Sequence, residues 1–258
     1  MAGINLSVNF DEIEKKGFLS GIIKAKILNY NLKFNFKYDD KKFKINNAYF
    51  RSKDFSLNSS SEITYHPFFS MNSIFRIEDV NIKLLKDLNI NKILKSKKLI
   101  KKINNINLIT YKSKSFNKNL VDNLNLKINL IYGRLDYANN LSISNSLSKC
   151  KGESNLLEEY PILYFNCSLT SSNKKNLLKK FSIKYKNKNE PLNLIVNGNI
   201  NILNKKINFN KIQMNKDYKA SKEDLKYFKN KFESILFDQN FLNIFNSSKI
   251  KDFILEVY

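Results

Sequence analysis

Apolar residues recur at every second position over long stretches of this chain. Ile4, Leu6, Val8 and Phe10 alternate with polar residues at the start. Leu28, Tyr30, Leu32, Phe34, Phe36 and Tyr38 follow, with Asn29, Asn31, Lys33, Asn35 and Lys37 between them. A period of two puts one set on each face of a β-strand. Asp39-Asp40-Lys41-Lys42 reads as a turn, after which Phe43, Ile45 and Tyr49 resume. Phe55, Leu57, Ile63 and Tyr65 come next, and beyond His66-Pro67 come Phe69, Met71, Phe75 and Ile77. Further alternations lie at Leu124–Leu130, Leu163–Leu169, Leu192–Ile202 and Ile207–Phe209, the last two joined by a hairpin turn at Asn204-Lys205-Lys206. Such close spacing predicts a mainly β protein, an elongated antiparallel meander apolar on one face and wet on the other. That face either packs on a second sheet as a sandwich or curls into a groove; periodicity alone does not separate the two.

The period changes in three places. Leu84, Leu85, Leu88, Ile93, Leu94, Leu99, Ile100 and Ile103 follow a three-four spacing and predict a helical insertion near 84–104. A short helix is expected over Lys174–Phe181. Near the end, Ser221 is a good N-cap with Asp224 three residues on, and Leu225, Phe228, Phe232, Ile235 and Leu236 line one face. After Asp238-Gln239-Asn240, Phe241, Ile244 and Phe245 open a second helix that continues through Ile250, Phe253, Ile254 and Val257. The expected organisation is a β-sheet groove region over 1–219 and a helical cap over 220–258.

Composition changes this picture in three ways. The chain is 42% hydrophobic, too apolar for a disordered segment. Gly (6) and Pro (3) are scarce, so abundant Asn is expected to take over the turns. The formal net charge is +22, carried by Lys; Arg occurs only at 51, 76 and 134. A phosphate or base reader favours the bidentate Arg fork, so the surplus reads more readily as AT-rich coding bias than as selected nucleic-acid binding. It would still draw the protein weakly to anionic lipid heads. No run is long and apolar enough to span a bilayer.

Catalytic chemistry finds no purchase. His66 is the single histidine, and two cysteines are too few for a structural zinc site. The acidic clusters Asp11-Glu12 with Glu14, Asp39-Asp40 and Glu158-Glu159 sit among lysines in turn-like stretches and read as solvated charge. Gly152 and Gly198 are isolated, so no phosphate-cradling loop forms. The expectation is a non-enzyme without cofactor or metal. Cys150 and Cys167 come nearly opposite each other if the strand at Pro161–Thr170 folds back; a disulfide and two buried free thiols both fit.

The stretch Asn155–Cys167 (NLLEEYPILYFNC), the hairpin Leu192–Phe209 and the segment Tyr218–Lys229 (YKASKEDLKYFK) resemble AsmA-like proteins of AT-rich marine alphaproteobacteria, and the resemblance covers most of the chain. It implies a curved β-groove on the periplasmic side of the inner membrane, an N-terminal membrane anchor absent from this chain, and a part in moving phospholipid and in outer-membrane integrity. On that basis the chain is expected to be either a C-terminal region or a shorter relative. The groove would be lined by Leu28, Tyr30, Leu32, Phe34, Phe36, Tyr38, Leu163, Phe165, Leu194 and Val196, with phospholipid and membrane as partners. A basic nucleic-acid-binding protein and a purely structural envelope scaffold remain the alternatives.

Overall fold

A computed structural model describes residues 4–11, 17–27, 30–53, 55–80, 90–113, 120–186, 189–238, 244 and 246–257. The strands are β1 (Ile4–Phe10), β2 (Leu19–Ile27), β3 (Tyr30–Tyr38), β4 (Lys42–Arg51), β5 (Phe55–Thr64), β6 (Ser70–Val80), β7 (Asn104–Lys112), β8 (Asn123–Ile131), β9 (Arg134–Ile143), β10 (Ser146–Asn155), β11 (Ile162–Ser171), β12 (Leu192–Asn201), β13 (Lys206–Met214) and β14 (Tyr218–Lys219). They form one open sheet of 14 strands whose order in space is their order in the chain. The helices are α1 (Ile90–Lys95), α2 (Lys97–Ile100), α3 (Lys174–Lys180), α4 (Lys222–Leu236) and α5 (Ser247–Val257).

The fold is the mainly β meander that the alternation predicts, with one exception. β6 and β7 are parallel, Met71 pairing with Asn105 and Ile77 with Tyr111. A parallel pair needs a crossover instead of a hairpin, and the segment between these strands carries α1 and α2. The helical insertion ends earlier than expected, since Asn104 already begins β7. Lys42 belongs to β4, not to the preceding turn. The second C-terminal helix begins at Ser247, so Ile244 precedes it. Leu28, residues 81–89, Phe241 and Phe245 lie outside the described residues. Asn takes over the turns only in part. Asn47, Asn145 and Asn215 hold left-handed backbone, but so do Tyr132, Ser144, Ser182 and Lys205. Ser144-Asn145 and Tyr132-Gly133 both have positive φ throughout, as two-residue hairpins between right-twisted strands require.

Register fixes which side chains share a face, because directly paired residues point the same way. Phe10 pairs with Gly21, Gly21 with Phe36 and Phe36 with Ile45. Farther along, Leu124 pairs with Leu141, Cys150 with Cys167, Cys167 with Val196 and Val196 with Ile212. One apolar face therefore runs from β1 to β13. Lysines and asparagines predominate on the other, including Lys24, Lys33, Asn125 and Lys211, although Ile74, Ile106 and Leu108 form an exposed apolar patch there.

Three glycines on the apolar face sit where strands approach closely, each opposite an aromatic residue in the register. They are Gly21 beside Phe36, Gly152 beside Tyr137 and Gly198 beside Phe165. A Cβ at Gly152 would lie 2.4 Å from the Tyr137 ring and 2.4 Å from the Tyr164 carbonyl oxygen; at Gly198 it would lie 2.2 Å from the Asn208 oxygen and 2.8 Å from the Phe165 ring. Glycine inside a strand marks such approaches and lets a sheet bend. Irregularities in the pairing at Lys33/Asn35, Ile45/Ala48 and Asn197/Gly198 add bends of their own.

The N-terminus of α4 is a reciprocal cap. The Asp224 N–H donates to Ser221 Oγ at 3.1 Å and the Ser221 N–H to Asp224 Oδ2 at 2.9 Å. The backbone hydrogen bond from Ser221 holds the Asp224 carboxyl below its usual range.

Two predictions follow from these contacts. Gly152→Ala should lower stability by about 1–3 kcal/mol in urea melts, through overpacking against Tyr137 and the Tyr164 carbonyl, whereas Ser148→Ala on the same face should cost little. Ser221→Ala should cost about 1 kcal/mol. The contribution of Asp224, whose folded pKa is depressed, is complete above its unfolded value and disappears as pH falls through the folded value. Acid melts of the wild type and Asp224→Ala should therefore converge as pH falls; a gap unchanged at low pH would count against the carboxylate's part in the cap.

Candidate functional site

The apolar face is an extended feature available to a ligand, and it differs along its length; the opposite face holds a shallow cavity of about 560 Å3 lined by Lys44, Ser60, Glu62, Ile74, Ile106 and Leu108. Over β1–β4 the apolar face carries Leu6, Val8, Leu32, Phe34 and Phe50, partly or well exposed, with no helix core against them among the described residues. Phe36 and Ala48 are the buried hydrophobic residues there, the Phe36 ring edge-on to Phe10 and stacked on Phe43. Over β11–β13, and at the ends of the strands from β8 on, helices and turns pack against the same face. At one end of these strands Leu94 and Ile100 of the α1–α2 segment pack with Leu156 and Ile202, against Leu130, Leu135 and Leu163. At the other end Leu178 of α3 packs with Ile183 and Tyr185, against Phe181 and Ile254 of α5. Over β11–β13, Phe232 of α4 and Phe237 just beyond it pack on Ile200, Ile207, Phe165 and Phe209.

Between the open and enclosed halves lies a polar band. Ser59 and Ser61 of β5, Ser73 of β6, and Asn105 and Asn107 of β7 share the apolar face by register. Ser73, buried, donates to Ser61 Oγ at 2.8 Å, and the Oδ1 atoms of Asn105 and Asn107 are buried without a hydrogen-bond partner. Unpaired buried acceptors are rare and costly. The alternation does not foresee this band, because Ser and Asn at core positions read as breaks in a strand.

The residues expected to line a groove fall into two places. Tyr30, Leu32, Phe34, Phe36 and Tyr38 share the apolar face of β3 in its open half. Leu163, Phe165, Leu194 and Val196 share that face on β11 and β12, and Leu163 and Phe165 lie against the helix-covered cores. Tyr137, which the sequence reading passed over, is on the face too, and burial pushes its phenol pKa up. The signal was present in Leu135, Tyr137, Leu141 and Ile143 of β9.

β10 puts only small groups on this face: Ser146, Ser148, Cys150, Gly152 and Ser154. The space goes to Tyr137 and Phe165 from neighbouring strands and to a covalent link. Cys150 and Cys167 are direct register partners, 4.1 Å apart at Cα, and their sulfurs are joined.

Glu12 and Glu14 lie outside the described residues, and members of each acidic cluster accept local hydrogen bonds. Asp11 accepts from Ser20 Oγ, Asp39 from the Lys41 and Lys42 N–H groups, and Glu158 from Asn155 Nδ2. Asp11 extends the β1–β2 pairing, Asp39 and Glu158 lie in separate turns, and His66 is in an exposed one. Among the described residues no three His, Cys, Asp or Glu side chains gather as metal ligands would. No described helix is long and apolar enough to cross a membrane.

No protein-family profile, no curated protein and no solved structure matches this chain.

The disulfide gives a direct test. Thiol labelling of denatured, unreduced protein should modify neither cysteine, and reduction should expose both. For a cross-link 17 residues apart in sequence, reduction should cost about 3 kcal/mol by chain-entropy reasoning. Full labelling without reductant would remove the link.

Proposed function

We propose that the protein is a non-catalytic lipid-binding trough of the cell envelope, similar in kind to AsmA-like proteins, in which acyl chains lie along the apolar face. One observation carries the reading: apolar side chains share this face from β1 to β13, crossing β5–β7 beside the polar band through Leu57, Ile77 and Tyr111, yet among the described residues no second sheet covers it. A soluble sheet ordinarily buries such a face against another layer. Over β1–β4, half-exposed Leu32, Phe34 and Phe50 have no such cover among the described residues, and an acyl chain would supply it. Apolar burial at about 25 cal/mol per Å2 makes that exchange favourable without any specific polar contact. The helices at the β8–β13 end close the trough there and leave its β1 end open to entry. The opposite, Lys-rich face suits the vicinity of anionic lipid heads.

A substitution pair separates a trough from a closed core. Phe34→Glu lies in the open half, so the protein should stay folded with a small loss of stability while co-purified phospholipid, measured by mass spectrometry, falls several-fold. Phe165→Glu puts an unpaired carboxylate beneath the helices and should cost several kcal/mol. Asn31→Glu on the outer face should change neither readout. Wild-type protein free of lipid, or Phe34→Glu unfolding as completely as Phe165→Glu, would sink the reading. Nucleic acid released by moderate salt in place of lipid would favour the basic face as the working surface.

A further inference from the structure

The polarity of the two faces reverses locally around the parallel pair β6–β7. On the apolar face, Ser61, Ser73 and Asn107 of β5, β6 and β7 stand in one row. On the lysine-rich face of the same strands, Ile74 and Leu108 are direct partners, with Ile106 two residues along β7. Each of these three is 38% exposed. They floor the cavity of about 560 Å3, which Lys44 of β4, Ser60 and Glu62 of β5 and Lys127 of β8 wall in. The described helices of the β6–β7 crossover, α1 and α2, pack on the opposite face and leave this floor bare.

Single apolar residues on a wet face need no explanation, but these three are contiguous. Parallel strands are also ordinarily covered on both faces. The floor is too small for a protein layer, since a stable protein interface takes about 800 Å2 from each partner. The cavity volume instead falls within the roughly 300–1,000 Å3 of small-molecule sites. Charge differs between its two ends. At one, Glu62 already holds Lys42 at 2.7 Å and Lys44 at 3.2 Å. At the other, Lys127 stands between Leu108 and Ala138 in the register, and Asp136, diagonal to it, pairs with Arg134. Lys127 is exposed and has no carboxylate partner among the described residues.

We propose that this cavity is a second binding site, on the face opposite the trough, for a free single-chain anionic amphiphile of the fatty-acid kind. Its head sits at Lys127 and its chain crosses Leu108 and Ile74 towards Ser60. These four residues form one register row, Ser60–Ile74–Leu108–Lys127. The row is three strand spacings long, roughly 14 Å, the reach of a medium-length acyl chain. Charge sets the direction: the Glu62 carboxylate repels an anionic head at one end and Lys127 attracts it at the other. Covering the three apolar side chains supplies the remaining attraction. The sheet itself separates this site from the trough, so neither needs the other.

The chain has no tryptophan, so Ser60→Trp places a single fluorescent reporter at the tail end of the site. Below its micellar concentration, ω-bromododecanoate should quench that reporter saturably, because bromine quenches on contact. The trimethylammonium amphiphile with the same bromoalkyl chain should not. In the Ser60→Trp background, Lys127→Gln should raise the apparent Kd about five-fold, as for one exposed ion pair. Leu108→Ser should raise it about ten-fold through lost apolar contact. Lys24→Gln, elsewhere on this face, and Phe34→Glu, on the trough, should leave it unchanged. In the unmodified chain, dodecanoate should shift the methyl resonances of Ile74, Ile106 and Leu108. Unshifted methyls, equal quenching by the cation, or Lys127→Gln acting no more strongly than Lys24→Gln overturns the proposal. So does quenching lost in Phe34→Glu with unchanged circular dichroism, which would put the probe in the trough. Phosphatidylglycerol vesicles with brominated chains should leave the reporter unquenched; quenching by them would make the occupant a membrane surface and overturn the free ligand.

Discussion

A β-sheet with one apolar face must hide that face, and among the described residues no second sheet does it. Most of the architecture can be read as a response to that constraint. The sheet bends where Gly21, Gly152 and Gly198 let strands and rings close in, and where the pairing shifts between β3, β4 and β5. Helices fill the ends and the far side of the β8–β13 half. Fully buried apolar residues cluster where helix meets sheet, as at Ile207 (1% exposed) and Ile100 (2%). Elsewhere the apolar side chains are only half-sheltered. Stability therefore rests unevenly: firm where α1, α2, α3 and α4 pack, and dependent on the long hydrogen-bonded ladder where they do not.

The period-two pattern made the strands with large inward residues legible, and β3, with Leu32, Phe34 and Phe36, is the clearest case. It failed at β10, whose inward side chains are Ser146, Ser148, Cys150, Gly152 and Ser154, because apolar alternation cannot register a face built from small groups. Those small groups make sense only once Tyr137 and Phe165 are placed on the adjacent strands, and that is information about register, not composition. The cysteine pair was visible as an opposition of strands, while its bonded state was not. The parallel join at β6–β7 was half-legible: the helical interruption was evident, but not that a crossover of that length would reverse the strand relation. The capping box at Ser221 was the most readable local feature, because its chemistry is contained within four residues.

The charge follows the same division of faces. Acidic residues, though few, stand beside lysines or arginines across the strands. Glu62 pairs with Lys42 at 2.7 Å and Lys44 at 3.2 Å, and Arg134 reaches Asp136 and Glu153. The Lys42 hydrogen bond, followed by that from Lys44, holds the Glu62 carboxyl below its usual range. Such exposed pairs contribute little to stability. Their effect is to relieve like-charge repulsion between adjacent strands of an outer face that is otherwise rich in lysine, which lets a highly charged sheet remain flat enough to pair.

In the proposed lipid-binding reading, the polar band over β5–β7 matters more than its size suggests. A uniformly apolar trough would hold an acyl chain at any depth with nearly equal energy, whereas Ser61, Ser73, Asn105 and Asn107 interrupt it between the open and enclosed halves. A chain passing that band trades contact with leucine and phenylalanine for contact with amides and hydroxyls, a loss of apolar burial at each step. The band narrows the apolar face, between its two halves, to a row that includes Leu57, Ile77, Tyr111 and Leu124. The enclosed half is held by helix packing and the β10–β11 disulfide, and the open one has only β1–β4 to shape it. The open half is thus where occupancy can change with least disturbance to the fold, and the helix-covered half is where the sheet keeps its shape while it does.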